Sequence, residues 1–112
     1  MCECAGYESA AEHVKEVKYA FLGEVLSSVT GSDGKAVTTF SAVEKFKGGV
    51  PNTVKIQHET DSAACGIEFD AFSKHLIFAV KRFTRYQTDQ CEMPSFFPED
   101  EYLRVLRSEA AA

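Results

Sequence analysis

The sequence predicts a mainly β domain: a small closed barrel of five strands, with a short helix before the first strand and another helix after the last. Three observations lead there. Apolar and polar residues alternate with a period of two in several short stretches after residue 18. Glycine-rich turn signals separate those stretches, and helical composition is confined to the two ends. The 112 residues fit a single domain, 1–112, with no internal repeat, linker or boundary.

Glu8 to Lys18 has helical composition, and Ala10, Ala11, Val14 and Val17 or Lys18 form a narrow apolar stripe. From Tyr19 to Val29, Phe21, Gly23, Val25 and Ser27 alternate with Leu22, Glu24, Leu26 and Ser28, which is a strand with a bulge or close approach at Gly23. Gly31-Ser32-Asp33-Gly34 is a hairpin turn. The second strand, Ala36 to Lys47, loses its alternation near Glu44 to Phe46, where a second bulge is expected, and Gly48-Gly49-Val50-Pro51 ends it. Thr53 to His58 alternates again. After a polar loop and an irregular apolar stretch, His75 to Val80 is continuously apolar and reads as a central strand buried on both faces. Thr84 to Cys91 is polar but β-capable, and is the expected last strand. Proline and three acids at Pro98-Glu99-Asp100-Glu101 open a helix carrying Tyr102, Leu103, Val105 and Leu106. Five bulged, strongly bent strands suit a barrel of the oligonucleotide/oligosaccharide-binding (OB) type. An immunoglobulin-like sandwich would want about seven strands and a core Trp, and this chain has no Trp.

The net charge of −5 opposes a nucleic-acid partner, and no apolar run approaches the length of a membrane span. Nothing calls for a cofactor, and no catalytic constellation, phosphate loop or His-Glu-x-x-His motif is present, so an enzyme is not expected. The trailing Ala110 to Ala112 reads as a frayed end.

The four cysteines, Cys2, Cys4, Cys65 and Cys91, are the most informative residues. A Cys-x-Cys pair at the start of a chain can pin a segment that would otherwise fray. Zinc sites favour paired Cys-x-x-Cys knuckles, whereas here the other two cysteines are solitary. The spacing favours two disulfides over a zinc site or free thiols, with three pairings open. Disulfides imply an oxidising compartment, hence a secreted, periplasmic or cell-envelope protein whose signal peptide has been removed.

Taken in order, Cys2-x-Cys4-Ala5-Gly6, Phe21-Leu22-Gly23-Glu24-Val25, Val43-x-Lys45-Phe46-Lys47-Gly48, Cys65-Gly66-x-x-Phe69, the apolar strand Leu76 to Val80 and a final Cys91 resemble the tissue inhibitors of metalloproteinases, within the netrin (NTR) module superfamily. The resemblance implies an OB-fold barrel with disulfides Cys2–Cys65 and Cys4–Cys91. It also implies a zinc metalloproteinase as partner of a monomeric inhibitor. The α-amino nitrogen and carbonyl oxygen of Cys2 would chelate the protease zinc. Glu3 would enter the protease's primary specificity pocket, with Cys4, Ala5, Cys65 and Gly66 completing the contact. Three features depart from the pattern. Met1 acylates the nitrogen of Cys2, Glu3 is acidic where the animal inhibitors carry small or apolar residues, and the third disulfide and C-terminal domain of that family are absent. The alternative is a non-inhibitory secreted protein–protein interaction module on the same barrel. A lipid-anchored Cys2 would leave Cys65 unpaired.

Other residues have simpler readings. His13, His58 and His75 read as ordinary surface or strand histidines. Lys81, Arg82 and Arg85 with Phe83 and Tyr86 form a basic-aromatic patch. A solvated strand edge explains it better than a nucleic-acid site. Phe96 and Phe97 are expected to pack under the C-terminal helix.

Overall fold

The computed structural model describes residues 2–111; Met1, with its expected bond to Cys2, and Ala112 lie outside them. Helix α1 (Ala10–Glu16) precedes strands β1 (Tyr19–Thr30), β2 (Lys35–Lys47), β3 (Thr53–Glu59), β4 (Lys74–Arg82) and β5 (Arg85–Gln87), and helix α2 (Glu99–Ala111) ends the chain. The strands close in the order β1-β2-β3-β5-β4, with β1 returning to β4. Every pairing is antiparallel except β3 with β5. This is the expected five-stranded barrel with a helix at each end of the sequence.

Closing so few strands requires sharp bending, and the bulges supply it. The β1–β2 register slips between Ala20 and Phe21, between Leu22 and Gly23, and between Val25 and Ser27. Phe46 and Val43 are thereby extra residues on β2, and Leu26 on β1. Gly23 is a close approach: a Cβ there would meet the rings of Phe21 and Phe40 at 2.8 and 3.1 Å.

Strand β4 has hydrophobic residues on both faces because it separates two cores. Ile77 and Ala79 join Phe21, Val25, Phe40, Val50, Val54 and Ile56 inside the barrel. Leu76 and Phe78 point outward and join Ala10, Val14, Val17, Ala20, Tyr102 and Leu106 beneath the two helices. Two polar side chains, Thr38 and His58, are also buried, and Thr38 Oγ1 bonds both His58 Nε2 (2.7 Å) and Ser28 Oγ (2.8 Å) of an exposed residue.

Three elements, α1, β5 and α2, differ in extent from the sequence reading in ways the local hydrogen bonds explain or the termini show. Helix α1 is shorter at both ends. Ser9 is an extended N-cap whose Oγ accepts the Glu12 N–H at 3.1 Å, and Val17 is already extended. The Val14 carbonyl at the helix end accepts both the Val17 N–H at 3.3 Å and Lys47 Nζ at 2.6 Å. Strand β5 covers three residues rather than the eight from Thr84 to Cys91. Asp89 Oδ1 accepts the N–H groups of both Cys91 and Glu92 at 2.9 Å, turning the chain out of the sheet. At the other end, α2 continues through Ala111 where a frayed end was expected.

Candidate functional site

Residues 2–7 have no regular structure, yet they are fixed. Cys2 is joined to Cys65 and Cys4 to Cys91, with Cα–Cα distances of 5.0 and 5.3 Å. Within this extended segment, Cys2 and Cys4 turn toward the barrel and are half-buried, while Glu3 and Ala5 are exposed. The result is a narrow ridge with its main chain held at two points one residue apart. The sulfurs of Cys2, Cys4 and Cys91 lie within 4.8 Å of one another. Each is consumed in a disulfide, and no described cysteine is free, so the cluster offers no thiolate for a zinc site of its own.

The partner loop is built to hold Cys65 in one place. Asp61 Oδ1 accepts the Ala63 N–H at 2.9 Å and starts a 3-10 turn, Ser62–Ala64, which ends with Cys65 in the left-handed region at φ 60°. Gly66 follows, and its N–H donates to the Asp61 carbonyl at 2.8 Å. A Cβ on Gly66 would sit 2.6 Å from the Asp61 backbone, so only glycine lets the loop close this tightly. Gly66 is therefore buried. It shapes the ridge from beneath, through its backbone bond to Asp61.

Gln90 links the two disulfide regions. Its N–H donates to the Cys65 carbonyl at 3.0 Å, and its Nε2 donates to the Gly66 carbonyl at 2.8 Å. Behind the ridge, Tyr7 stacks on His13 at 4.1 Å between ring centroids, with 7° between the planes. Gln90, Asp89, Asp61 and Tyr7 were not singled out from the sequence. Short side chains such as Asp carry their turn roles only once their backbone neighbours are known. Beside Cys4, an apolar groove of about 310 Å³ runs past Ile67, Met93 and Phe96.

No protein-family model matches the chain, and no curated protein matches it.

His13 departs from the surface-or-strand expectation. It is a helical residue, 1% exposed, with Nδ1 2.8 Å from the Tyr102 hydroxyl oxygen. Burial lowers its pKa below the usual histidine value, and a hydrogen bond to the Glu92 backbone partly opposes this. Glu92 is shifted the other way, its carboxyl raised by burial and by the charge of Asp89. His58 is a strand residue facing into the barrel, and His75 pairs with Ser73 Oγ at 2.7 Å. Phe97 packs edge-on against Tyr102 of the C-terminal helix, as expected, whereas Phe96 packs edge-on against His13 of α1 and Tyr7. The basic-aromatic patch is an exposed hairpin in which Lys81 faces Tyr86 and Arg82 faces Arg85, and its outer edges are unpaired because β1 reaches only Ala79 of β4 and β3 only Tyr86 and Gln87 of β5.

Proposed function

We propose that this protein inhibits a zinc metalloproteinase by presenting the main chain of Cys2 to the protease's catalytic zinc. The observation that carries the reading is the double tether. Two disulfides fix the backbone around Cys2 while the intervening side chain, Glu3, and the following Ala5 face solvent. An α-amine and carbonyl of one residue form a five-membered chelate, and a catalytic zinc keeps an open coordination position for such ligands. The amine binds metal only when neutral. Its ordinary pKa is about 8, so deprotonation near neutral pH is inexpensive. A flexible terminus would lose conformational freedom on binding, whereas the tethers have already removed it. The resemblance to the tissue inhibitors of metalloproteinases rests on the same cysteines, and their disulfide pairing here is the one that resemblance implies.

Glu3 sets the specificity. Beside a chelated Cys2 its carboxylate enters the first pocket of the protease, and burial there is unfavourable unless a cation or several donors receive it. The preferred target therefore has a basic or hydrated pocket, in contrast to the apolar pockets served by small or aliphatic residues. Ala5 and the exposed Ala63 and Ala64 flank the ridge. Two disulfides suit an oxidising location outside the cytosol, and no described helix is long and apolar enough to cross a membrane.

The test is titration of a chain beginning at Cys2 against zinc metalloproteinases whose specificity pockets differ in charge. Inhibition below about micromolar concentration, strongest for the basic pocket, is expected. Absence of inhibition across the panel by correctly disulfide-bonded protein would move the ridge to the role of a scaffold for another interaction.

A further inference from the structure

We propose a second binding surface, formed by the β4–β5 hairpin tip and the groove beside it, that receives an extended acidic polypeptide segment. It does not depend on the reading of Cys2. The tip lies at the start of β5, whereas the disulfide-tethered ridge gathers beyond the ends of β3 and β5.

Phe83 is the first residue of a two-residue tip between Arg82 and Arg85. It is fully exposed, at 102%, and its backbone has φ 58°. That conformation is one glycine adopts freely and an aromatic residue adopts at a cost, and glycine is the usual choice at the start of such a turn. The side chain touches nothing that would offset the strain. Folding therefore gives no reason for a phenylalanine here, and a strained, exposed aromatic points to a contact with a partner.

The adjoining groove, of about 550 Å³, has the form of a polypeptide site. Strand β5 pairs with β3 only at Ile56 and Gln57, so the outward-facing side of β3 nearer its start is left without a neighbour. Val37, Pro51 and Tyr86 give the groove apolar walls, Lys55 and Arg85 charge it, and no carboxylate lines it among the described residues. Lys81 sits over the Tyr86 ring at 5.3 Å, and Arg82 lies at the tip. In a chain of net charge −5, Lys55, Lys81 and Arg85 around one aromatic groove are a local reversal of sign that selects an acidic partner, while Arg82 faces the Glu59 and Asp89 side. A bilayer would meet the convex tip but leave the concave groove empty, so the groove favours a polypeptide over an anionic membrane.

The experiment is fluorescence anisotropy with a labelled decapeptide alternating Glu and Leu. The controls are the same peptide with Lys for Glu, a labelled oligothymidine, and phosphatidylglycerol vesicles. Saturable binding of the acidic peptide is expected, with none of the basic one, and with affinity falling about tenfold or more for Phe83→Gly and for Arg85→Glu. Phe83→Gly should also raise the thermal midpoint by relieving the backbone, which separates loss of a contact from loss of the fold. Failure of the acidic peptide to bind, equal binding by both variants, or tighter binding to vesicles or oligothymidine would overturn the proposal.

Discussion

The ridge and the barrel are ordered by different forces. The barrel interior and the helix layer each bury eight side chains nearly completely, and a buried side chain the size of Leu or Phe contributes roughly 1.5–3 kcal/mol. Residues 2–6 bury none and form no ladder. Covalent bonds do there what burial does elsewhere. Closing loops with sequence separations of 63 and 87 residues is worth on the order of 4 kcal/mol apiece in the chain-entropy view. The difference shows how a main chain can be both rigid and available. A segment held by burial would have its backbone engaged, whereas a tethered one keeps its outer face free for a ligand.

Reduction is the strongest way to break this comparison. Removing Cys4–Cys91 by the double change Cys4→Ser and Cys91→Ser should cost about 2–5 kcal/mol in urea unfolding. The barrel should survive it, with native near-ultraviolet aromatic signals, while backbone NMR order parameters of residues 3–6 fall to flexible values, below about 0.6. Unchanged order parameters there would mean that the ridge is held by something other than its bonds.

The joint between the two regions is the next target. Tyr7 stacks on His13, and His13 meets Tyr102 of the far helix. Tyr102→Phe leaves a buried histidine nitrogen without its partner and should cost about 1–3 kcal/mol by thermal or urea unfolding. An effect near zero would show that His13 finds another partner.

Acid should act on the same joint. The pKa of His13 is lowered on folding, so the unfolded chain takes up its proton first. Its contribution is present above the ordinary histidine value of 6.5 and is lost as pH falls through the lower folded value. Glu92 acts in the opposite sense. Its raised carboxyl favours the fold below 4.5 and loses that contribution as pH rises through the folded value. In the variant Glu92→Gln, stability should therefore fall steadily on acidification from about pH 7 to pH 5, following His13 alone. A flat profile in that variant would contradict the burial of His13. Smallest of all is the exposed pair in which Arg107 Nη2 donates to Glu44 Oε1 at 2.8 Å. Arg107→Ala should leave the unfolding midpoint indistinguishable from that of the parent, since exposed ion pairs are weak.

The barrel was more legible in the sequence than the ridge, and the reason is physical. Alternation is imposed wherever a strand has one buried face, so β1, β2 and β3 could be read, and the unbroken apolar run at β4 correctly signalled two buried faces. Gly23 and the slip near Phe46 were visible because bulges interrupt a regular pattern. The end of β5 was hidden because Thr88 to Cys91 is compatible with a strand, and a local Asp89 turn wins over that propensity. His13 was misjudged because the stripe was counted by hydrophobicity. Ala11 is exposed and His13 takes the buried position, its polarity met by Tyr102 from 89 residues away. At the site, the cysteines were conspicuous, but the loop that positions them was not. Asp61, Gly66 and Gln90 act through backbone contacts that arise only after closure.

The most direct measurement compares two forms of the protein that differ only by Met1, each with both disulfides confirmed, against a zinc metalloproteinase that the Cys2-initiated form inhibits. Acylation removes the amine as a ligand without touching the tethers or the barrel. The account predicts a rise of about 100-fold or more in the inhibition constant when Met1 is present, with unchanged unfolding midpoints. Equal inhibition by both forms would contradict it, because the ridge would then act without its terminal nitrogen.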